Sequence, residues 1–262
     1  HFVDPVNHMG AAIAAAHTIF NISNVIILTP FVSLLDKFLL FAVKDTGEDE
    51  VRVTKLASLK MTLPSVIIEQ TKIEVSSMVT MIENVFLKLE EALKEKEKIA
   101  KYNDSIVEAE DKLDLYEKEI YDSNFSLLSK SLSKELIEDT RMNLLTCDEY
   151  ETIGDYQNRI ANRLYMLYEN SIELDETRAK MTFKLHSLVV ELFNDISRAA
   201  RTGEKELYSA GIKKYQTLKT YYKEVKREHF FRSENIPARL NTGYLDIINY
   251  YKRIADHIYN II

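Results

Sequence analysis

Residues 10–35 carry no charged side chain, whereas the chain after Lys44 is rich in charge and has the pattern of long helices. A run of about 20 apolar residues is long enough to cross the hydrocarbon core of a bilayer. The change in composition therefore predicts two separate parts. Residues 1–44 are expected to form a membrane segment, and residues 45–63 a polar linker to a helical region.

The uncharged segment is interrupted by polar groups, among them His17, Asn21 and Asn24, and by Pro30. Polar groups inside a membrane usually face a solute pathway, a protein interior or another helix. We therefore expect a transmembrane helix with His17 and Asn21 on one face. The alternative is a buried helix of a water-soluble protein.

Charge and chain termini limit the classes of function. The net charge is -7, with basic and acidic residues interleaved, which argues against a nucleic-acid partner. The single cysteine, Cys147, favours a reducing compartment and is expected to be an inert thiol. Residues 1–10 contain no Lys or Arg, so a signal peptide is not expected. Because the chain begins with His1 rather than Met, we expect a fragment of a longer protein.

Few residues can interrupt a helix in this chain, which has six glycines and four prolines in 262 residues. Apolar residues recur at steps of three and four, as the buried face of a helix requires. We predict an all-α fold with three-helix bundles in residues 64–173 and 174–262. The predicted helices begin at Pro64 and after Asp175, and Gly203 and Gly211 separate the fourth from a fifth helix at about 212–233.

The two predicted bundles share a pattern at a spacing of about a hundred residues, which indicates a duplicated unit. The aligned positions run from Tyr150 to Ile160 in the first bundle and from Tyr251 to Ile261 in the second. Tyrosine, aspartate and both isoleucines are the same in the two copies.

Two acidic pairs in the first bundle are candidate metal ligands: Glu110 with Asp114, and Glu151 with Asp155. A spacing of four residues places both carboxylates on one helix face. If the two helices pack antiparallel, four carboxylates converge, and oxygen ligands suit Mg²⁺, Mn²⁺, Ca²⁺ or iron. The alternative is a solvated acidic face.

The second bundle lacks these pairs. Lys252 stands where a carboxylate would precede Asp256, and Tyr215 and Lys219 occupy the other pair's positions. We expect Lys252 to repel a cation or to pair with Asp256, although Asp246 is a further carboxylate nearby.

No motif for catalysis is present: the sequence has no glycine-rich phosphate loop, no HExxH and no nucleophile elbow. We therefore expect that the chain is not an enzyme. An enzyme acting on phosphate esters is the least favoured alternative.

Residues 11–31, AAIAAAHTIFNISNVIILTPF, resemble the final membrane segment of bacterial sodium-dependent phosphate cotransporters. LPSVIIEQTKIEVSSM, AEDKLDLYEKEI, ETIGDYQNRIAN and DIINYYKRIADHIYNI resemble the PhoU-like domain that those transporters carry at the C-terminus. The resemblance implies a PhoU-like tandem of bundles that is cytoplasmic, attached to a transporter in the cell membrane. It assigns His17, Phe20 and Asn21 to the transport core, and Glu110, Asp114, Glu151 and Asp155 to a divalent or iron-type metal.

The leading hypothesis is the C-terminal portion of a sodium-dependent phosphate cotransporter, with a PhoU-like domain that regulates uptake. Sodium and phosphate are then the transported ions. The rest of the transporter, a regulatory protein or a second copy of the chain are the expected partners. The alternative is a soluble or membrane-anchored PhoU-like metal-binding or scaffold protein in phosphate signalling, without transport activity.

Overall fold

The computed structural model describes residues 9–42, 52–59, 63–128, 132–234 and 236–262. The all-α prediction is confirmed within these ranges, which form seven α-helices and one short 3-10 helix, Leu56–Leu59. The α-helices are α1 Met9–Ala42, α2 Pro64–Lys94, α3 Lys98–Leu128, α4 Lys134–Glu169, α5 Glu176–Thr202, α6 Lys205–Phe231 and α7 Ala238–Asn260. The chain divides into two compact units, His1–Val51 and Arg52–Ile262.

The first unit contains α1, a helix of 34 residues. Its apolar side chains between Ile13 and Phe31 are exposed wherever the structure describes them; Phe20, for example, is 63 % exposed. None of the helices in the described residues meets the length and hydropathy needed to cross a membrane. The structure thus gives no support to the predicted transmembrane segment.

Three predicted helix boundaries in the second unit are confirmed, because each rests on local chemistry. Pro64 occupies the first turn of α2, where its missing N–H is not needed. The Asp175 carboxylate accepts a hydrogen bond from the backbone N–H of Arg178 at 2.9 Å and caps α5. Gly203 ends α5 with φ at 72°, a left-handed conformation that glycine adopts without strain.

The predicted break at Gly211 is wrong. Helix α6 begins at Lys205, and Gly211 lies within it. A Cβ atom at this position would lie 2.3 Å from Cδ1 of Ile196 on α5. The glycine therefore permits the close approach of two helices and does not terminate one.

Two three-helix groups share one core. Helices α2, α3 and α4 pack together, as do α5, α6 and α7, while α4 also packs on α7 and α2 on α5. The rings of Phe86 and Tyr150 from the first group meet Phe193 from the second at centroid distances of 5.4 and 6.0 Å. The buried apolar residues accordingly form one continuous cluster.

Part of the predicted linker is docked on the second unit. The Glu119 carboxylate on α3 accepts hydrogen bonds from the backbone N–H groups of Val53 at 2.8 Å and Thr54 at 2.9 Å. Leu56 is buried in the core. The remaining linker positions, 45–51 and 60–62, lie outside the described residues.

Candidate functional site

An acidic face lies where α3 packs on α4. Glu110 and Asp114 lie on α3, and Glu151 and Asp155 lie on α4, with each pair four residues apart on one helix face. The two pairs lie close enough to interact: besides burial, which is the main cause of each shift, the charge of Asp155 raises the pKa of both α3 carboxyls and that of Asp114 raises the pKa of Glu151. The four predicted residues thus belong to one surface.

A glycine sets the separation of these helices. A Cβ atom on Gly154 would lie 2.3 Å from Cδ1 of the buried Leu113. Gly154 and Leu113 are the immediate neighbours of Asp155 and Asp114 in the sequence. The close contact of the two helices therefore sets the distance between the two acidic pairs.

Glu151 has the largest pKa shift on this face. Burial, followed by the charges of Glu117 and Asp114, raises its pKa to about 7. Thr152 Oγ1 lies 3.2 Å from the carboxylate and partly offsets these effects. Near neutral pH, Glu151 is therefore present in both its protonated and its ionised form, and the ionised form is repelled by the neighbouring carboxylates.

The pKa values of Glu110 and Asp114 are also raised, in both cases mainly by burial. For Glu110 the next cause is Asp114, and Asp111 acts on both carboxyl groups. Each shift has the sign that crowding of like charges produces.

Three further members of this face were not predicted from the sequence: Asp111 and Glu117 on α3, and Asp148 on α4. Burial and then Asp148 raise the pKa of Glu117, so these two residues extend the acidic face by one helical turn. Each lies three residues from a predicted ligand, a spacing that also keeps side chains on one helix face. A search for pairs at both spacings would have found them.

A cation, Arg159, lies at the edge of the face. The guanidinium of Arg159 contacts the Asp155 carboxylate through Nε and Nη2, both at 2.9 Å. The donor set consists of carboxylates, which suits a hard cation. Among the described residues, however, no group of three or more His, Cys, Asp or Glu side chains is arranged to hold a metal ion.

The corresponding position in the second half is neutralised. Lys252 forms the predicted ion pair with Asp256, and the Tyr215 hydroxyl donates to the same carboxylate oxygen at 2.6 Å. Asp246 pairs instead with Arg163 of α4 at 3.0 Å. Charges within the chain therefore satisfy both carboxylates.

Two further sequence predictions concern residues outside this face. His17, Phe20 and Asn21, the residues assigned to a transport core, are exposed on α1. Cys147 is buried against Met78, with 3.7 Å between the sulfur atoms, and burial raises the pKa of its thiol. Because the thiolate is the reactive form of cysteine, this shift opposes reactivity.

The fold and this face define an all-α protein of two similar three-helix bundles, with an acidic face on the first. The PhoU domain model matches the chain twice, at residues 75–164 and 183–262, which fall on the two bundles. These matches cover more than half of the sequence, and the chain belongs to the PhoU domain family. The double match also agrees with the duplication seen in the sequence.

A solved structure has the same fold. The crystal structure of PhoU, the phosphate transport system regulatory protein of Streptococcus pneumoniae, aligns with a TM-score of 0.65 and 19 % sequence identity. The alignment covers 76 % of this chain and 93 % of the streptococcal chain. Comparison with curated proteins finds no match.

Proposed function

We propose that this chain regulates phosphate uptake and does not catalyse a reaction. The observation that carries the proposal is the membership of both bundles in the PhoU domain family, in a chain whose first bundle has an acidic face. The similar protein from Streptococcus pneumoniae is a phosphate transport system regulator. The regulatory signal in this proposal is the occupancy of the acidic face.

The proposed ligand of this face is a divalent or iron-type cation held among Glu110, Asp114, Glu151 and Asp155. Its positive charge would offset the mutual repulsion that raises the pKa values of these carboxyls. The carboxylates would have to turn toward one another to bind it, since no metal-binding group is arranged in the described residues. Cation binding would thereby change the packing of α3 on α4.

The regulated transporter in this proposal is a sodium-dependent phosphate cotransporter in the cell membrane, with the bundles on its cytoplasmic side. The support is α1, whose apolar side chains are exposed: Ile19 is 65 % and Ile26 67 % exposed. Apolar helix faces of this kind are normally covered by a partner. We propose that other helices of the transporter cover α1, and that the polar His17 and Asn21 contact them.

Sodium-driven phosphate uptake by cells that express the whole gene tests this function. The variant E151Q/D155N should retain uptake but lose its adjustment to external phosphate, whereas the matched variant D256N should behave as the wild type. Deletion of everything after Lys44 should have the same effect as E151Q/D155N. Unchanged uptake and unchanged adjustment in the deletion variant would exclude the regulatory role.

A second candidate is a PhoU-like metal-binding or scaffold protein in phosphate signalling, without transport activity. It is favoured by the compact unit Arg52–Ile262, which contains both bundles and their continuous core. In that case the gene confers no sodium-driven phosphate uptake, while E151Q/D155N still alters the phosphate response of the cell.

A further inference from the structure

One face of α6 combines basic and aromatic side chains. It consists of Lys223, Lys226, Arg227, Phe230 and Phe231, and we call it the basic-aromatic face. These positions follow steps of three and four residues and so project from one side of the helix. The opposite side of α6 is the one that packs into the core, through residues such as Leu218 and Val225.

Solvent exposure on this face is high for aromatic residues. Phe230 is 53 % and Phe231 76 % exposed. Solvent-facing helix positions normally carry polar side chains, so two adjacent exposed phenylalanines indicate an interaction surface.

The cations of this face are available to a partner. Within the described part of the chain, Lys223, Lys226 and Arg227 make no ion pair; the Lys226 ammonium lies 5.9 Å from the ring centroid of Tyr222. In contrast, Lys214, on the same helix, pairs with Asp195 at 2.8 Å. The net charge of the chain is -7, so this face reverses the overall sign locally.

We propose that the basic-aromatic face binds the surface of a membrane containing anionic lipids. Lys223, Lys226 and Arg227 would contact the headgroups, and Phe230 and Phe231 would enter the boundary with the acyl chains. This surface is open, and all of its lining residues belong to α6. No second element forms a wall here, as a peptide-binding groove would require, whereas a single helix face with basic and aromatic side chains is sufficient to bind a lipid surface.

A tryptophan reporter tests the proposal locally, because the chain contains no tryptophan. Phe231→Trp should shift its emission to the blue, and brominated lipids should quench it, when vesicles of phosphatidylcholine with phosphatidylserine are added. Phe230→Trp provides a second reporter. A local signal is required because α1 has exposed apolar side chains of its own.

Phe125→Trp is the matched control. Phe125 is 72 % exposed on α3 but continues the side of that helix which carries Asp114 and Glu117. Its reporter should not respond to the same vesicles, since anionic headgroups repel this acidic surface.

Charge reversal completes the test. K223E/K226E/R227E in the Phe231→Trp background should weaken vesicle binding at this face by at least about 100-fold, because three attractive cations are lost and three repelled carboxylates are added. Vesicles of phosphatidylcholine alone should give a similarly weak signal.

Three results would overturn the proposal. The first is that neither reporter responds to anionic vesicles. The second is that the response survives charge reversal. The third is that polyglutamate or duplex DNA shifts the emission while vesicles do not, which would assign the face to an acidic protein or to a nucleic acid.

Discussion

Helices α4 and α7 occupy equivalent places in the two bundles and have the same buried pattern. Tyr150 and Tyr251 are both buried, as are Ile153 and Ile254. The charged positions beside this buried pattern differ. In α4 the half-buried Glu151 faces other carboxylates, whereas in α7 Lys252 pairs with Asp256. Duplicated cores have thus been kept while the charges beside them have diverged.

The acidic residues of the two halves differ in whether other side chains of the protein neutralise them. The acidic groups considered in the second half are paired: Lys252 and Tyr215 contact Asp256 within that half, and Arg163 of α4 pairs with Asp246. The first half leaves like charges crowded between α3 and α4, which opposes folding in the absence of a ligand. Crowded charge of this kind is typical of a binding surface.

The largest predicted effect concerns the core that the two halves share. Phe193→Ala removes a fully buried ring that contacts Phe86 and Tyr150, and we expect the free energy of unfolding to fall by about 3–5 kcal/mol. Urea denaturation measures this loss. Phe125→Ala, which truncates an exposed ring, should change stability by less than about 0.5 kcal/mol.

Hydrogen exchange on Phe193→Ala shows whether the halves unfold together. Amides of α3 and α6 should lose protection equally, because one continuous core connects the two bundles. Loss confined to α5, α6 and α7 would show instead that the bundles are independent.

A second prediction concerns acid stability and His186 in the second half. Burial lowers its pKa to about 4, and the Tyr251 hydroxyl lies 3.0 Å from its Nδ1 atom. The pKa of His186 is lower in the folded state than the reference value of 6.5, so the unfolded state takes up a proton first as the pH falls. The free energy of unfolding should therefore decrease by about 2–3 kcal/mol between pH 6.5 and pH 4.

The variant His186→Gln should remove this slope, although truncation of the ring lowers stability at every pH. Urea unfolding between pH 4 and 7 measures the slope, and His17→Gln, at an exposed site on α1, should leave it unchanged. An identical slope in His186→Gln would mean that other groups titrate.

Glu151 in the first half should show the opposite dependence on pH. Its folded-state pKa of about 7 lies above the reference value of 4.5, so stability falls as pH rises through this window. Glu151→Gln should therefore stabilise the cation-free protein by about 2 kcal/mol at pH 8, after allowance for partial exposure, and by almost nothing at pH 4.

Asp256→Asn is the comparison in the second half, and it should destabilise at pH 8 because it removes an ion pair. Chemical denaturation with a chelator present checks both variants. A destabilising effect of Glu151→Gln at pH 8 would contradict the crowding of charge on this face.

The smallest predicted effect concerns the ion pair between Lys252 and Asp256, whose side chains are 21 % and 29 % exposed. Lys252→Gln should lower the free energy of unfolding by about 0.5–1 kcal/mol, and high salt should reduce the difference. Lys180→Gln disrupts a pair of the same spacing at 75 % and 81 % exposure and should have no measurable effect. Equal losses in the two variants would remove the distinction between structural and solvated pairs.

Local features of this fold could be predicted, whereas features created by packing could not. Pro64, Asp175 and Gly203 mark helix ends through their own backbone chemistry. Gly211 has the same local signal, but its role is set by Ile196 on a neighbouring helix.

The acidic face could be predicted in part for the same reason. The pairs at four-residue spacing were visible, but the contribution of Glu117 and Asp148 depends on the register of α3 against α4. The rise in the pKa of Glu151 also depends on burial, which a helical pattern does not quantify. The cation itself remains a prediction.

Isothermal titration of the purified protein with Mn²⁺ tests the difference between the halves most directly. We predict binding that strengthens as pH rises through about 7, because Glu151 loses its proton there. The variant E151Q/D155N should lose this binding, and D256N should keep it. Binding that is absent from the wild type, or unchanged in E151Q/D155N, would contradict the account.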